Sequence, residues 1–584
     1  MPFKLYLSIL PLPVMLLSGS LLLGQSTSVL TWRNNNWRDG LNSTETTLTQ
    51  NTVNKSKFGK ICSTAAGAID GQIYAQPLVV TDSIPGYTHV VYVATMNDTV
   101  YFIDGDSTDC AVIKRISLLR SGEKAVKCTD VGNGNCATFS PISGILGTPV
   151  IDTATRTMYL VTWTESTAKG CPTSGTCFTH RLHALDIATG AEKYHGPVAI
   201  PSATSGASKF TSYNHLQRPG LLLLPHVEAN GNSAVYVAFS EMDNSGIIGT
   251  SLPNGWVFSF DAQNLTAAPV AWSATPNGEG GGLWMSGAGL AAGTDQAGGP
   301  TYIYVATGDG TFDAETGGSD YGDSFVKLTT QLTVSSYFTP YKQYCDDIAD
   351  RDLGAGGVML IPNGVASSTI DFAIANGKDG NIYVMDRANP GGYAGPAGNL
   401  CPSAAGPDLN YETVPAANTH EFYNTGAFWN QHLYTVANNS PLWKYKISGT
   451  TCTPAPVCPT AAASSEAHFS YGPEPVISSN GNTTNTAVIW VINGHGWPSQ
   501  DQSVVPKPAV LYAFDAEHVD QPTILPLLWS SSQCPARDRA GNATKFAVPT
   551  VANGRVFMGT MDPSDATNTR GRLDVYGEIS KPCN

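Results

Sequence analysis

One pattern recurs along most of the chain and limits what it can fold into. Each copy has a Pro or Gly opening, an apolar strand, a turn, a second strand, and an apolar-x-Asp close; the first spans Ala75 to Asp104. Eight copies follow one another, and the sixth, Gly426 to Ile447, is abbreviated. A four-stranded blade cannot bury its own faces, so such copies must pack radially into a closed ring. The pattern predicts an all-β fold with a single eight-bladed β-propeller, or a seven-bladed one if the sixth copy is an insertion.

The composition agrees with this fold and argues against one class of partner. The 584 residues include 59 Gly and 38 Pro, and only 13% are charged. Abundant turn formers beside many β-branched and aromatic residues are typical of short strands. The formal net charge of -14 argues against nucleic acid as a partner.

The amino terminus has the pattern of a secretory signal peptide, which we assign to residues 1–28. Lys4 precedes an apolar run from Leu5 to Leu23 that contains prolines at positions 11 and 13, and small residues follow. Because the prolines leave an uninterrupted apolar run of only about ten residues, a membrane anchor is the less favoured alternative. We expect a secreted, periplasmic or cell-surface protein with no integral membrane segment after cleavage.

Two further segments follow the signal peptide. Residues 29–60 form a polar lead-in that ends in a strand, Phe58 to Ile61. Residues 61–584 carry the repeats and are assigned to the propeller. We expect the lead-in strand to complete the last blade and so to close the ring.

The 12 cysteines fit an oxidising compartment. Their spacing suggests three local pairs, each across a short loop: Cys128 with Cys136, Cys171 with Cys177, and Cys452 with Cys458. Two longer pairs are guesses, Cys62 with Cys110 and Cys345 with Cys401, and the sequence leaves Cys534 and Cys583 open. No CxxC spacing is present, which argues against zinc or redox catalysis.

The stretch from Tyr302 to Arg387 has the densest run of strands that end in charged residues beside glycine. Its segments are Tyr302 to Gly310, Gly322 to Leu328, Asp350 to Leu360 and Gly377 to Arg387. Short strands with polar ends allow a β-scaffold to present several side chains at a common rim. We therefore expect any functional site to draw on this stretch.

The repeat resembles that of the quinoprotein propellers, the PQQ-dependent alcohol and glucose dehydrogenases and their noncatalytic relatives. The likeness rests on an apolar-Tyr-Val-x-Thr strand, an apolar-Tyr-Ala-apolar-Asp strand and a Thr-Gly turn, over most of residues 55–580. The lead-in from Asp39 to Gly59 is also similar to the opening of secreted PQQ-repeat proteins. The resemblance implies a quinoprotein alcohol dehydrogenase-like propeller.

Four residues stand where this family holds metal, proton and quinone. Asp309 in Ala-Thr-Gly-Asp-Gly takes the place of one calcium ligand, and Glu241 at a strand end takes that of another. Asp352 in Asp-Leu-Gly-Ala-Gly resembles the base that takes the substrate's hydroxyl proton. Lys378 in Gly-Lys-Asp-Gly corresponds to the residue that contacts the quinone. The implied cofactors are PQQ and calcium, which prefers several oxygen ligands.

The sequence also departs from the catalytic members. It has no adjacent cysteine pair and no CxxCH haem site, so no haem is expected and any electron acceptor would be external. Position 309 is Asp rather than Asn, and Leu353 replaces the aromatic residue that follows the base. Glucose-type relatives do without the cysteine pair.

Purely structural interpretations stand beside these assignments. Asp309 can belong to a solvated acidic turn or a surface calcium site, Asp352 can cap a turn, and Lys378 can be a solvated hairpin lysine. The repeated strand-end aspartates are expected to accept hydrogen bonds from turn amides: Asp104, Asp186, Asp261, Asp386 and Asp515.

Three functions from different classes follow, and the first is favoured by the degenerate repeats and the missing cysteine pair. It is a ligand- or protein-binding or scaffold module, whose partner is a small molecule, a surface protein or a glycan. The second is a PQQ- and calcium-dependent dehydrogenase that oxidises an alcohol or sugar. A polysaccharide hydrolase or lyase is a third. The dehydrogenase requires Glu241, Asp309, Asp352 and Lys378 to converge at one mouth of the central channel.

Overall fold

The computed structural model describes residues 27–583 except 133–135, 137–138, 173–174, 243–252, 297, 365–369, 404–405, 416–419, 448–467, 495–505 and 519–523. Nearly all of the segment assigned as a signal peptide, and the Cys452/Cys458 pair, lie outside the described residues. Within the described part, no helix is long and apolar enough to cross a membrane.

Eight sheets follow one another along the chain and form an eight-bladed β-propeller; they are antiparallel except that Leu41–Asn42 adds a parallel strand to blade 7. Blade 1 consists of the strands Leu78–Ile84, Tyr87–Ala94, Thr99–Asp104 and Val112–Ser117, and blade 2 of Val150–Asp152, Thr157–Ser166, Phe178–Asp186 and Val198–Ala199. Blade 3 consists of Leu222–Leu224, Ala234–Glu241, Trp256–Asp261 and Val270–Ser273, and blade 4 of Ala291–Thr294, Thr301–Ala306, Phe325–Thr329 and Val334–Phe338. The first strands of neighbouring blades contact one another between blades 2 and 3, 4 and 5, 6 and 7, 7 and 8, and 8 and 1, so they surround the centre of the ring.

The abbreviated sixth copy forms a sheet of its own, which excludes the seven-bladed alternative. Blade 5 consists of the strands Val358–Leu360, Phe372–Asn376, Asn381–Asp386 and Glu412–Pro415, and blade 6 of Ala427–Trp429, His432–Val436 and Leu442–Lys446. Blade 7 consists of Val476–Ser478, Val488–Asn493, Val510–Asp515 and Leu527–Ser530, and blade 8 of Thr550–Ala552, Arg555–Met561, Gly571–Glu578 and Phe58–Ser63.

Short elements decorate the blades. The additional strands are Leu41–Asn42, Glu123–Lys127, Ile142–Ser143, Ala203–Ser205, Ser208–Phe210 and His215–Leu216. The helices are the α-helices Gln343–Asp347 and Pro535–Asp538 and the 3₁₀ turns Cys128–Asp130, Gly175–Cys177, Met285–Gly287, Ala314–Thr316 and Leu353–Ala355.

The ring closes by pairing the lead-in with the carboxyl-terminal end of the chain. The strand Phe58–Ser63 pairs antiparallel with Gly571–Glu578 and becomes the fourth strand of blade 8. The Phe58 ring packs 5.3 Å from Trp490 and 4.9 Å from Trp529, both of blade 7. These contacts bury the joint in the apolar core between blades 7 and 8.

The lead-in also runs past the inner strands of all eight blades, a course that the repeat pattern alone does not reveal. It forms a hydrogen bond with each blade in turn: Val29 with Val79 of blade 1, Leu30 with Ile151 of blade 2, Asn36 with Leu223 of blade 3 and with Ala292 of blade 4. The remaining bonds join Trp37 to Leu360 of blade 5, Asp39 to Phe428 of blade 6, Gly40 to Ile477 of blade 7 and Asn42 to Val551 of blade 8. Arg33 reaches across to a fully buried ion pair with Glu474 of blade 7. The lead-in is thus part of the ring's centre.

The covalent and turn predictions agree with the structure wherever it describes them. Among the described residues there are five disulfides: the four predicted pairs that the structure describes, and Cys534 with Cys583. The strand-end aspartates accept turn amide hydrogen bonds: Asp104, Asp186, Asp261, Asp386 and Asp515. Such disulfides are consistent with an extracellular location.

Candidate functional site

Glu241 ends the second strand of blade 3 and is almost completely buried. Its Oε1 atom accepts a hydrogen bond of 2.7 Å from the indole Nε1–H of Trp284. Its Oε2 atom is buried and accepts no hydrogen bond from any described residue. One half of this carboxyl group is therefore anchored, and the other half lacks a partner.

Asp309 follows the second strand of blade 4, in the glycine-rich turn that the sequence singled out. Its backbone N–H donates a 2.9 Å hydrogen bond to Asp352 Oδ1. Its own Oδ1 atom is buried and unpartnered among the described residues. The residue as a whole is half-buried, so it is only partly exposed to solvent.

Asp352 and Lys378 form an ion pair at the entrance to blade 5. Asp352 Oδ2 lies 2.5 Å from Lys378 Nζ, and the Lys378 N–H donates a 3.0 Å hydrogen bond to the Asp352 carbonyl. Lys378 also pairs with Asp350, and its side chain is only 17% exposed, so it is not a solvated hairpin lysine. The Asp352 side chain makes no capping bond to the turn Leu353–Ala355, which contradicts the capping interpretation.

Two glycines bring Glu241 and Asp352 together. The Gly308 N–H donates a 2.9 Å hydrogen bond to the Gly282 carbonyl. A Cβ atom on Gly282 would lie 1.7 Å from Glu241 Oε2, and one on Gly308 would lie 2.3 Å from Asp352 Oδ1. Both carboxylates therefore pack directly against backbone that only glycine leaves uncovered. The four residues predicted from the sequence lie in one neighbourhood.

The acidic groups around Asp309 form two overlapping clusters. One carboxylate oxygen from each of Asp309, Asp350 and Asp352 lies within 4.8 Å of the others, and the same holds for Asp309, Asp323 and Asp347. Asp323 is fully buried; its Oδ1 accepts the Leu353 N–H at 3.2 Å, and its Oδ2 has no partner in the described part of the chain.

Burial and neighbouring charges shift the pKa values of these carboxyl groups in different directions. Burial raises the pKa of Glu241 to about 8, and the negative charge of Asp352 adds to the effect. Burial, followed by the charges of Asp352 and Asp323, raises the pKa of Asp309 far above its usual value. Burial opposes ionisation of Asp352 as well, but Lys378 outweighs it and lowers the pKa of that carboxyl group. Asp352 is thus the ionised carboxylate of the site.

Sequence reasoning missed Trp284, the partner of Glu241. It precedes the turn Met285–Gly287, in which Met285 and Ser286 both have positive φ values, 46° and 48°. Non-glycine residues rarely adopt this conformation, and it is common at functional sites. Ser286 Oγ donates a 2.6 Å hydrogen bond to the Ala355 carbonyl, which joins this turn to the one after Asp352. The run of three glycines from Gly280 just before Trp284 was the available signal.

The donor set fits a bound cation. Buried carboxylate oxygens without hydrogen-bond donors are costly, and native structures seldom leave them unsatisfied. Asp309 and Asp323, which share one of the two clusters, each contribute one such oxygen, and Glu241, which lies outside both clusters, has a third. Calcium binds through several carboxylate and carbonyl oxygens, so a bound calcium ion would supply the interaction that these atoms lack. The chemistry of the residues present therefore agrees with the metal that the resemblance implies.

Comparisons with known proteins bear on the fold. No family model matches the chain, and no curated protein sequence matches it. Among solved structures, a europium-containing methanol dehydrogenase is similar with a TM-score of 0.51 and 14% identity, over 94% of this chain and 98% of that one. BamB from Moraxella catarrhalis has a TM-score of 0.43 and 11% identity, over 89% of this chain and 99% of that one. At this identity, the likeness to the dehydrogenase establishes a shared fold and no more.

Proposed function

We propose that this chain is a secreted or periplasmic quinoprotein dehydrogenase that depends on PQQ and calcium and oxidises an alcohol or sugar. The observation that carries the proposal is that Asp309, which has an unpartnered buried oxygen, shares an acidic cluster with Asp352 of the Asp352–Lys378 ion pair. Glu241, which has another such oxygen, lies outside that cluster and approaches Asp352 across the Gly282–Gly308 contact. A purely structural cluster would satisfy those oxygens with amide or hydroxyl donors, because an unmade buried hydrogen bond is destabilising. A cation satisfies them instead.

The proposal assigns a part to each side chain. Glu241 and Asp309 would hold the cation, and Lys378 would contact the quinone. When bound, PQQ supplies the hydride acceptor and the cation polarises its carbonyl group.

Asp352 is the candidate base. The ammonium group of Lys378 keeps the Asp352 carboxylate ionised, in the form that accepts the proton of a substrate hydroxyl. The amide of Asp309 fixes Asp352 Oδ1, and Lys378 fixes Oδ2, so the carboxylate cannot rotate freely. A base held in this way loses little conformational entropy when the substrate binds.

Reconstitution tests the proposal. The purified chain is titrated with PQQ in the presence and absence of Ca²⁺ by absorbance, and dye-linked oxidation of a panel of alcohols and sugars is then measured. We expect calcium-dependent binding at micromolar PQQ and turnover of at least one substrate. Asp352→Asn should retain binding and lose turnover by about 10²–10⁴-fold, the usual contribution of a general base. Absence of PQQ binding at micromolar concentrations rejects the proposal.

A binding or scaffold module remains the second candidate. The absent cysteine pair favours it, as do three exposed apolar side chains in the segment before the last strand of blade 5 and at its edge, Leu400, Leu409 and Tyr411. Such side chains are common in surfaces that bind partners. Under this alternative, Glu241→Gln and Asp309→Asn leave partner binding intact, and no PQQ is bound.

A further inference from the structure

Arg218 is a buried cation that has no counter-ion in the described part of the chain. It precedes the first strand of blade 3 and is only 6% exposed. Among the described residues, its guanidinium forms neither a hydrogen bond nor an ion pair, and it lies over the Phe546 ring at 4.6 Å from the centroid. The other deeply buried arginines, by contrast, are hydrogen-bonded: Arg33, Arg38 and Arg387. Burial lowers the pKa of Arg218 to about 10.

A second buried cation, Lys545, stands against the same ring. It precedes blade 8, and its Nζ lies 5.1 Å from the Phe546 centroid and 5.8 Å from that of Tyr471. Burial, and then the positive charges of Arg218 and Lys378, lower the pKa of Lys545 to about 7. Two like charges at one buried ring destabilise each other, and an anion placed between them would relieve both the repulsion and the desolvation.

Arg218 and Lys545 line a common recess at the centre of the ring. The recess has a volume of about 20 Å³, and its walls also include Trp32, Tyr74, Ser286 and Phe546. This volume accommodates one group about the size of a water molecule. It therefore suits the end of a ligand, such as one carboxylate oxygen, rather than a whole molecule. Ser286 connects the recess to the candidate site, because its hydroxyl bonds to the turn after Asp352.

We propose that Arg218 and Lys545 form an anion-binding site that takes one carboxylate group of a small organic ligand held in the channel. A carboxylate oxygen that enters the recess would accept charge-assisted hydrogen bonds from the guanidinium and ammonium groups, and the Phe546 ring packs against the guanidinium. Anion binding at this site does not require catalysis. The identity of the ligand rests on the proposed function: if that function holds, the carboxylate belongs to the quinone or to an acidic substrate.

Calorimetric titration with sodium oxalate tests the site on the full mature chain. We expect one saturable site in the wild type and an affinity at least about tenfold lower in Arg218→Gln and in Lys545→Gln, since charge-assisted bonds are lost. Lys444→Gln is the matched control, because Lys444 is a buried lysine of blade 6 that bonds to the Ala516 carbonyl. The control should bind oxalate within about twofold of the wild type. Near-UV circular dichroism verifies the fold of each variant.

Two results overturn the inference: no saturable oxalate binding by the wild type, or unchanged affinity in both recess variants. A parallel PQQ titration separates the two sources of the carboxylate. Weaker PQQ binding in both variants assigns the site to the quinone; unchanged PQQ binding, with oxalate binding lost, assigns it to an organic acid substrate. If the wild type binds oxalate but no PQQ, the proposed function fails and the anion site stands.

Discussion

Asp352 Oδ2 lies 2.5 Å from Lys378 Nζ, and both side chains are largely shielded from solvent. The pair raises the pKa of Lys378, because the charges of Asp352 and Asp350 outweigh the burial that opposes it. It lowers the pKa of Asp352 against the same opposing effect of burial. The pair therefore stabilises the fold above the pKa of an unfolded aspartate and below that of an unfolded lysine.

Breaking this ion pair should destabilise the protein in a pH-dependent way. We expect Lys378→Met to lower the free energy of unfolding at pH 7 by about 3–5 kcal/mol, since it leaves a buried carboxylate unpaired. The loss should shrink as pH falls through the pKa of Asp352 in the variant, which burial raises once Lys378 is absent, because protonation removes the uncompensated charge. The double variant Lys378→Met/Asp352→Asn should recover part of the loss at pH 7. Urea unfolding at several pH values measures this, and a loss independent of pH contradicts it.

Cation binding should release protons in a way that reports on Glu241. Below its pKa of about 8, Glu241 carries a proton that a cation must displace. We expect about one more proton to be released on Ca²⁺ binding at pH 6.5 than at pH 9, from calorimetry in buffers of different ionisation enthalpy. Glu241→Gln should remove this difference and weaken binding. Glu228→Gln, outside the site on blade 3, is the control; an unchanged difference in Glu241→Gln would show that Glu241 is not a ligand.

Adding one methyl group at the glycine contact should damage the site more than the fold. In Gly282→Ala or Gly308→Ala, the new Cβ atom displaces the Glu241 or Asp352 carboxylate, since it would stand 1.7 or 2.3 Å away. Neither glycine has a positive φ, so alanine is compatible with the backbone. We expect Tb³⁺ luminescence, sensitised through Trp284, to fall at least about tenfold in either variant. Gly175→Ala, where the nearest contact is an ordinary 3.6 Å, should bind as the wild type does.

The disulfide between Cys62 and Cys110 should stabilise the closed ring, because it joins blade 8 to blade 1. Cys62 lies in the closing strand of blade 8, and Cys110 follows the third strand of blade 1. For a separation of 48 residues, the chain-entropy model predicts a loss of about 4 kcal/mol in Cys62→Ala/Cys110→Ala. The pair Cys171/Cys177 spans only 6 residues, and its removal should cost about 2 kcal/mol. Thermal unfolding of the two variants measures the stability that each one loses. Equal losses would argue against a special contribution of Cys62–Cys110 to ring closure.

The sequence by itself determined the blades. Strand alternation and apolar-x-Asp closes are local patterns, because side chains alternate across a strand and aspartate accepts turn amides within a few residues. The local pattern also drew attention to the stretch that holds Asp309, Asp352 and Lys378, at strand ends and turns of blades 4 and 5, but their assignment as site residues came from the resemblance to the quinoprotein family. The local disulfides followed from short spacing alone.

Only the tertiary structure decided what meets at the centre of the ring. Arg218 and Lys545 open blades 3 and 8, more than 300 positions apart, and share one recess because the closed ring brings all the inner strand openings together. The course of the lead-in past eight blades and the bond from Trp284 to Glu241 have the same origin. Backbone periodicity encodes each blade locally, whereas contacts across the centre depend on closure of the ring, which no local pattern records.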